Sequence, residues 1–324
     1  MNLAMAMTRT GDPDVLQPID VKVASPGPLE VLVAQSVIGV NFVDTYFRTG
    51  LYPVARFPAV LGFEGAGVVV DIGKEVRHLR PGDRVAYTGG ALGAYTESRL
   101  LPESRLVKLP DEVSFEVAGS SMLRGLTAHM LLRKVHTTKP GDWILVHAAA
   151  GGLGHIVIRW AKRLGANVIG TVGSVGKVAL ARQAGADFVL LHPDGDWAEE
   201  AVRLSDGKGV HLAIDGIGGG MLSQSLSVVR PFGTVASLGQ PAGPIPPVRV
   251  EDLGFARSIS LTRPSSLLYA NHPQLYKSGT DELLEILVDG MVTAIGARYP
   301  LIDAARAHAD LESGRTTGSL ILTV

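Results

Sequence analysis

The sequence contains no cysteine. That absence removes disulfides, thiolate nucleophiles and every zinc site built on sulfur, and it fits a reducing compartment. Neither sign of charge is in excess, since 30 Lys and Arg face 31 Asp and Glu for a net charge of −1. No electrostatic footprint of nucleic-acid or anionic-membrane binding follows from such a balance, so neither partner is expected. Long apolar runs are missing as well. The longest, beginning at Trp143, carries His147 and His155 and a cluster of glycines, which argues against a membrane span. The opening stretch MNLAMAMTRTGDP has neither a basic start nor an extended apolar core and is not read as a secretory signal; a cytoplasmic location is expected. With 46% hydrophobic and 19% charged residues in 324, the chain is globular and long enough for two domains.

What is present centres on Trp143 to Gly165, WILVHAAAGGLGHIVIRWAKRLG. The apolar run Trp143 to His147 has the length of a buried parallel strand. Ala149-Ala150-Gly151-Gly152-Leu153-Gly154 then fits G-x-G-x-x-G with alanine in the first glycine's place, and Ile156, Val157, Trp160, Ala161 and Leu164 recur at helical spacing. A turn without bulky Cβ atoms lets a pyrophosphate approach backbone N–H groups, and the helix N-terminus that follows favours negative charge. The same spacing also fits a tight strand-to-helix turn with no ligand, but the strand and helix context favours a dinucleotide.

The flanking sequence divides by texture. Up to about residue 122, short apolar runs such as Val31 to Val33, Val37 to Val40, Gly65 to Val70 and Arg84 to Tyr87 are separated by Pro and Gly, which predicts a mostly β domain. Beyond the glycine turn, strands Val168 to Val172, Phe188 to Leu191, Val210 to Ile214, Thr234 to Leu238 and Ile259 to Thr262 alternate with helices around Val175 to Ala184, Trp197 to Leu204 and Met221 to Val229. Six parallel strands with intervening helices make a doubly wound sheet. Helices over Glu282 to Val288 and Ala304 to Leu311, then a strand Ser319 to Thr323, complete the chain. The expected domains are residues 1–123, 124–264, and 265–324 as a return to the first.

A dinucleotide site selective for NAD ends its second strand with an acid that holds the ribose 2′-OH. Here that end reads Thr171-Val172-Gly173-Ser174-Val175-Gly176-Lys177, with no carboxylate. A hydroxyl and a cation stand where a 2′-phosphate needs a donor and a counter-charge, so NADPH is favoured. Spacing alone also fits Lys177 as an ordinary exposed residue of a first helical turn.

With these residues in hand, the sequence resembles the zinc-independent quinone oxidoreductases of the medium-chain dehydrogenase/reductase superfamily, zeta-crystallin among them. The resemblance rests on Gly39 to Tyr46 (GVNFVDTY), Gly50-Leu51-Tyr52-Pro53, Gly62 to Gly67 (GFEGAG), Pro81-Gly82-Asp83-Arg84-Val85, Gly93-Ala94-Tyr95, Gly125-Leu126-Thr127-Ala128, His147 to Gly154, Gly173 to Lys177 and Thr262-Arg263-Pro264. It implies a GroES-like catalytic domain, a Rossmann domain, a homodimer, and NADPH in the cleft between domains. Relatives that use zinc carry a cysteine near Asn41 to Asp44 and a histidine in the place of Phe63; both are missing, as is the structural zinc lobe, so no metal is expected. Without a Lewis acid, an already electrophilic acceptor suits the site better than an alcohol.

By the same resemblance, Asn41, Phe42 and Tyr46 face the nicotinamide and the acceptor, with Asn41 and Tyr46 as the catalytic pair, and Thr127 lies close to the nicotinamide ribose or carboxamide. Gly151, Gly152, Leu153 and Gly154 meet the pyrophosphate. Gly173, Ser174, Lys177 and His192 take the adenosine phosphate, and Leu238, Gln240, Arg263 and Arg315 complete the cofactor contacts. For Tyr46 a packed aromatic in the wall, and for Arg263 a brace at the end of the last strand, fit the sequence too. Asp44 and Glu64 suggest an acid/base pair, with structural hydrogen bonding to nearby backbone as the alternative. His147 and His155 are read as local structural residues. The activity implied is NADPH-dependent reduction of a quinone; reduction of an enone or alkenal C=C bond, or a crystallin-like NADPH-binding scaffold, are the alternatives.

Overall fold

The structure is a computed structural model that describes residues 2–291 and 294–324. The chain divides into two compact units, Met1–Leu126 with Leu267–Val324, and Thr127–Ser266.

The first unit begins with β1 (Leu3–Met7), β2 (Gln17–Asp20), β3 (Glu30–Val40), α1 (Phe42–Thr49), β4 (Ala59–Val60), β5 (Glu64–Ile72), β6 (Arg84–Thr88), β7 (Ser98–Pro102), β8 (Val107–Lys108) and α2 (Phe115–His129), whose final residues belong to the second unit. In the second unit, β9 (Trp143–Val146), α3 (Gly152–Arg163), β10 (Asn167–Val172), α4 (Val178–Gln183), β11 (Phe188–Leu191), α5 (Trp197–Leu204), β12 (Val210–Asp215), α6 (Met221–Val228), β13 (Val229–Ser237) and β14 (Ser260–Thr262) follow. The chain then adds α7 (Ser266–Asn271), α8 (Pro273–Val288), β15 (Ile295–Pro300), α9 (Ala304–Glu312) and β16 (Ser319–Thr323).

β3 is the axis of the first unit. It pairs antiparallel with β5 along one edge, and β7 and β16 share its other edge, with Glu30 opposite Pro102 and Leu320 opposite Val40. The sheet runs β15-β16-β3-β5-β6-β8, and β2-β1-β4 form a smaller one. Met5, Val33, Ile38, Leu61, Val85, Tyr87, Leu101 and Leu320 fill the core. The sequence reading separated Val31 to Val33 from Val37 to Val40, whereas the structure makes one strand of both. The polar residue between them is buried and satisfied: Gln35 donates to Ala94 O at 2.7 Å and Thr96 O at 2.6 Å and accepts the Tyr87 hydroxyl. Alternation of hydrophobicity fails as a boundary signal where long-range partners cover a polar side chain.

The second unit is the expected doubly wound α/β layer structure, with strand order β11-β10-β9-β12-β13-β14 and every pairing parallel. β9 and β10 alternate with α3 because right-handed crossovers place the buried face of that helix, with Ile156, Val157 and Trp160 fully covered, against the sheet. Winding reverses between β9 and β12, and ligands of such sheets bind at the carboxyl ends beside that reversal. One expected element differs in form. The helix expected from Val175 is a 3-10 turn, Val175–Lys177, that hands over to α4.

Candidate active site

In the second unit the glycine turn closes the carboxyl end of β9. Ala148 takes a left-handed backbone, φ 50°, and Gly151 is the N-cap of α3 in an extended conformation, so Gly152, Leu153 and Gly154 form the first helical turn. First-turn N–H groups have no intrahelical acceptor, which leaves them for an anion. Gly154 is needed for closeness: a Cβ there would stand 2.6 Å from Ala148 O and 2.9 Å from Ala149 Cα.

Beside that turn, the end of β10 presents Gly173 and Ser174, both exposed, and half-buried Lys177 in the 3-10 turn. His192 follows the adjacent strand β11. A Cβ on Gly173 would lie 3.3 Å from its Nε2, and burial, then the Lys177 charge, lowers its pKa. The pyrophosphate and adenosine-phosphate candidates are therefore neighbours at one sheet end, with one cation, Lys177, and no carboxylate among Gly173 to Lys177. Leu238, Gln240 and Arg263 stand at the ends of β13 and β14, where Arg263 donates to Ser237 Oγ and Gln240 Oε1, each at 3.2 Å. Gln240 and Arg263 line a cavity of about 390 Å³ with Leu222, Ile245 and Val248. Thr127 is buried at the start of this unit.

Two residues of the second unit, His147 and Asp215, are fixed by buried hydrogen bonds at this sheet end, and of the two the sequence reading missed Asp215. His147 is buried beneath the turn, with Nδ1 2.7 Å from Thr171 Oγ1 and Nε2 3.0 Å from Ser225 Oγ. Ser225 donates its own proton to Met221 O, so His147 donates from Nε2 and accepts at Nδ1, a neutral form that burial enforces by depressing its pKa to about 3. It ties β9 to β10 and α6 and is structural, as expected. Asp215, at the end of β12, accepts the Ile217 and Gly218 N–H groups on Oδ1 at 2.8 and 3.0 Å, while Oδ2 is buried without a partner among the described residues. Its signal was the glycine-rich run directly after an apolar strand.

In the first unit Asn41, Phe42 and Tyr46 lie at the start of α1. Asn41 is held by two carboxylates at once. Its backbone N–H donates to Asp44 Oδ2 at 2.8 Å, the reach-back contact of a helix N3 residue, and its Nδ2 donates to Glu64 Oε1 at 2.7 Å. Glu64 also accepts Leu123 N–H at 2.7 Å and Arg124 Nη1 at 3.1 Å, and Arg124 donates further to Ser120 O and Val40 O. Glu64 and Asp44 are fully buried. Burial raises the pKa of both, to about 7 for Asp44, although the Asn41 N–H and Tyr95 hydroxyl pull Asp44 back and Arg124 pulls Glu64 back. The suggested acid/base pair is thus a clamp on Asn41. The sequence showed both acids; Arg124, sixty residues along the chain from Glu64, had no local signal.

Tyr46 is buried and meets Tyr52 edge-on at 5.4 Å between ring centroids. Phe42 is half-buried against the core. Arg315 is exposed on the turn after α9 of this unit, so it is not grouped with the phosphate candidates within one unit. Among the described residues, no three His, Cys, Asp or Glu side chains come together as a metal site, and no helix is long and apolar enough to cross a membrane.

Residues 27–111 match the family model of the alcohol dehydrogenase GroES-like domain, and residues 152–278 that of the zinc-binding dehydrogenase. A quinone oxidoreductase of Pseudomonas aeruginosa is 44% identical over 313 residues, 96% of each chain. A 2-haloacrylate reductase of a Burkholderia species is 39% identical over 330 residues, 99% of each. Among solved structures, a quinone oxidoreductase of Escherichia coli complexed with NADPH superposes with a TM-score of 0.95 at 38% identity, covering 99% of this chain and 100% of that one.

Proposed function

This chain belongs to the quinone oxidoreductases of the medium-chain dehydrogenase/reductase superfamily, and from that premise we propose that it reduces a quinone with NADPH, without a metal. One observation carries the cofactor choice. Where an NAD site would end β10 with an acid, this chain has Ser174 and Lys177 beside His192, groups that donate to a 2′-phosphate. Residues of the second unit fit the rest of the dinucleotide: the first-turn N–H groups of Gly152, Leu153 and Gly154, and the close approach that Gly154 allows, suit a pyrophosphate.

When bound, NADPH supplies a hydride from its nicotinamide ring. The protein's part is alignment and exclusion of water. Asn41, clamped at its backbone and side chain, and Tyr46, braced by Tyr52, are the residues that would align the acceptor. A quinone needs no metal to accept hydride, and its reduced oxygens take protons from solvent, with Tyr46 positioning one of them.

The protein acts in the cytoplasm as a homodimer. Support for a second copy is the outer strand β14 of the second unit together with Phe232, Val250 and Phe255, large apolar side chains left exposed in that unit. Reduction of an alkene conjugated to a carboxylate stands as a second reading, because one full-length relative is a 2-haloacrylate reductase. Steady-state NADPH oxidation with a quinone panel and a haloacrylate and enone panel separates them. Quinone turnover at the higher kcat/KM supports the first reading; turnover confined to the alkenes replaces it.

A further inference from the structure

On two neighbouring elements of the first unit, four polar atoms are buried without a partner among the described residues: Asp44 Oδ1, Arg48 Nε and Nη1 on α1, and His308 Nδ1 on α9. Between these helices lies the buried Tyr95 hydroxyl, 3.0 Å from Asp44 Oδ2 and 2.9 Å from His308 Nε2. All three side chains are fully buried, and Asp44 Oδ2 is the atom that accepts the Asn41 N–H.

A phenol between a carboxylate and an imidazole has one proton and donates in one direction at a time. With Asp44 ionised, Tyr95 donates to Asp44 and accepts from His308 Nε2–H, so Nδ1 is bare. With Asp44 protonated on Oδ2, that proton points at the Tyr95 oxygen, Tyr95 donates to His308 Nε2, and the imidazole proton sits on Nδ1. The heavy atoms need not move. One proton separates the two arrangements: it adds to His308 Nδ1, the Nε2 proton passes to Tyr95, and the Tyr95 proton passes to Asp44.

We propose that Asp44, Tyr95 and His308 are positioning residues that act as one proton-operated unit, whose ionised arrangement holds Asn41 in place for the reaction. This rests on the proposed function, in which Asn41 aligns the acceptor. The carboxylate form binds the Asn41 N–H through a charge-assisted hydrogen bond, and the protonated form through a weaker neutral one. The groups facing Asp44 are Tyr95, Glu64 and Arg124, and the charge facing His308 is Arg48, whose Nη2 pairs with Glu312 Oε1 of α9 at 2.6 Å. Burial, the first cause, places Asp44 near pH 7, and burial together with Arg48 keeps His308 neutral, with a pKa of about 3, so the imidazole serves as donor or acceptor and not as a cation. Protonation therefore falls within the working range, and Asn41 is held more firmly as pH rises through neutrality.

The test is nitrogen NMR of the full chain labelled on histidine, from pH 6 to 8.5, alongside acceptor kcat/KM over the same range. His308 in the wild type should carry its proton on Nδ1 at the acid end and on Nε2 at the alkaline end, while kcat/KM rises about three- to tenfold with the same midpoint. In Asp44→Asn, whose amide nitrogen imitates the protonated acid, His308 should stay Nδ1-protonated and the kcat/KM profile should be flat. In Tyr95→Phe the tautomer should not respond to pH. A single His308 tautomer throughout in the wild type overturns the proposal, even where a variant fails to fold. So does a tautomer change that survives Tyr95→Phe, or a kcat/KM profile shared by the wild type and Asp44→Asn. Absence of any NADPH turnover strikes the functional reading instead, since the tautomer is read without turnover.

Discussion

Replacing Gly154 by alanine tests how the glycine turn makes a phosphate site. The added Cβ would stand 2.6 Å from Ala148 O and 2.9 Å from both Ala149 Cα and Ala149 O, and all three neighbours are backbone atoms of the turn itself. None can rotate away as a side-chain tip could. Relief requires the first turn of α3 to retreat from the end of β9 by several tenths of an ångström, carrying with it the N–H groups of Gly152 and Leu153. Overpacking of this kind costs about 1–3 kcal/mol. If the retreat is expressed in the site, NADPH binding weakens by about five- to 150-fold, at ~1.4 kcal/mol per factor of ten. Gly220→Ala is the control, because nothing lies within 4 Å of its Cβ and its φ is −67°. Calorimetric titration with NADPH and a thermal melt read both variants. An affinity within twofold of wild type and an unchanged melting temperature for Gly154→Ala would refute the argument that this glycine is required for close approach.

Two further substitutions probe the charged groups. Lys177→Ala should weaken NADPH by about 1–3 kcal/mol and leave NADH nearly unchanged in the same titration, because only the 2′-phosphate loses a charge-assisted contact; equal loss for both cofactors would remove that contact from the account. Glu64→Gln leaves Arg124, whose side chain is 9% exposed, without its counter-charge and turns an amide donor toward either Leu123 N–H or the Asn41 and Arg124 donors. Breaking such a buried pair costs about 3–5 kcal/mol, read as a lower urea midpoint. A loss below about 1 kcal/mol would show that the pair contributes no more than a surface ion pair.

The second unit was legible in sequence because each of its elements is specified locally: apolar strands of β9, β10 and β12, the glycine turn, and an amphipathic α3 repeat within a short window. The cofactor candidates shared that legibility, since Gly151 to Gly154 and Gly173 to Lys177 occupy successive strand ends of a regular fold. The first unit was harder. β3 reads as two runs because Gln35 interrupts its hydrophobicity, and that interruption is tolerable because backbone acceptors at Ala94 and Thr96, some sixty residues away, and the Tyr87 hydroxyl satisfy the amide. Likewise Asp44 and Glu64 stood out as acids, but their tasks were set by Tyr95, Arg124 and His308, which no spacing rule connects to them. His308, 213 residues from Tyr95, sits on a helix predicted correctly from periodicity that says nothing about which side chain its inner face will meet.

The central claim is that this chain passes hydride from NADPH to a quinone without a metal, and a single-turnover experiment tests it most directly. Chelator-treated protein is mixed anaerobically with limiting NADPH deuterated at C4 or with unlabelled NADPH, in excess quinone. The account predicts one hydroquinone formed per NADPH oxidised, slower transfer from the deuterated cofactor, much slower transfer from NADH, and no dependence on added zinc. No oxidation of NADPH without added zinc, or equal rates with NADH, would contradict it.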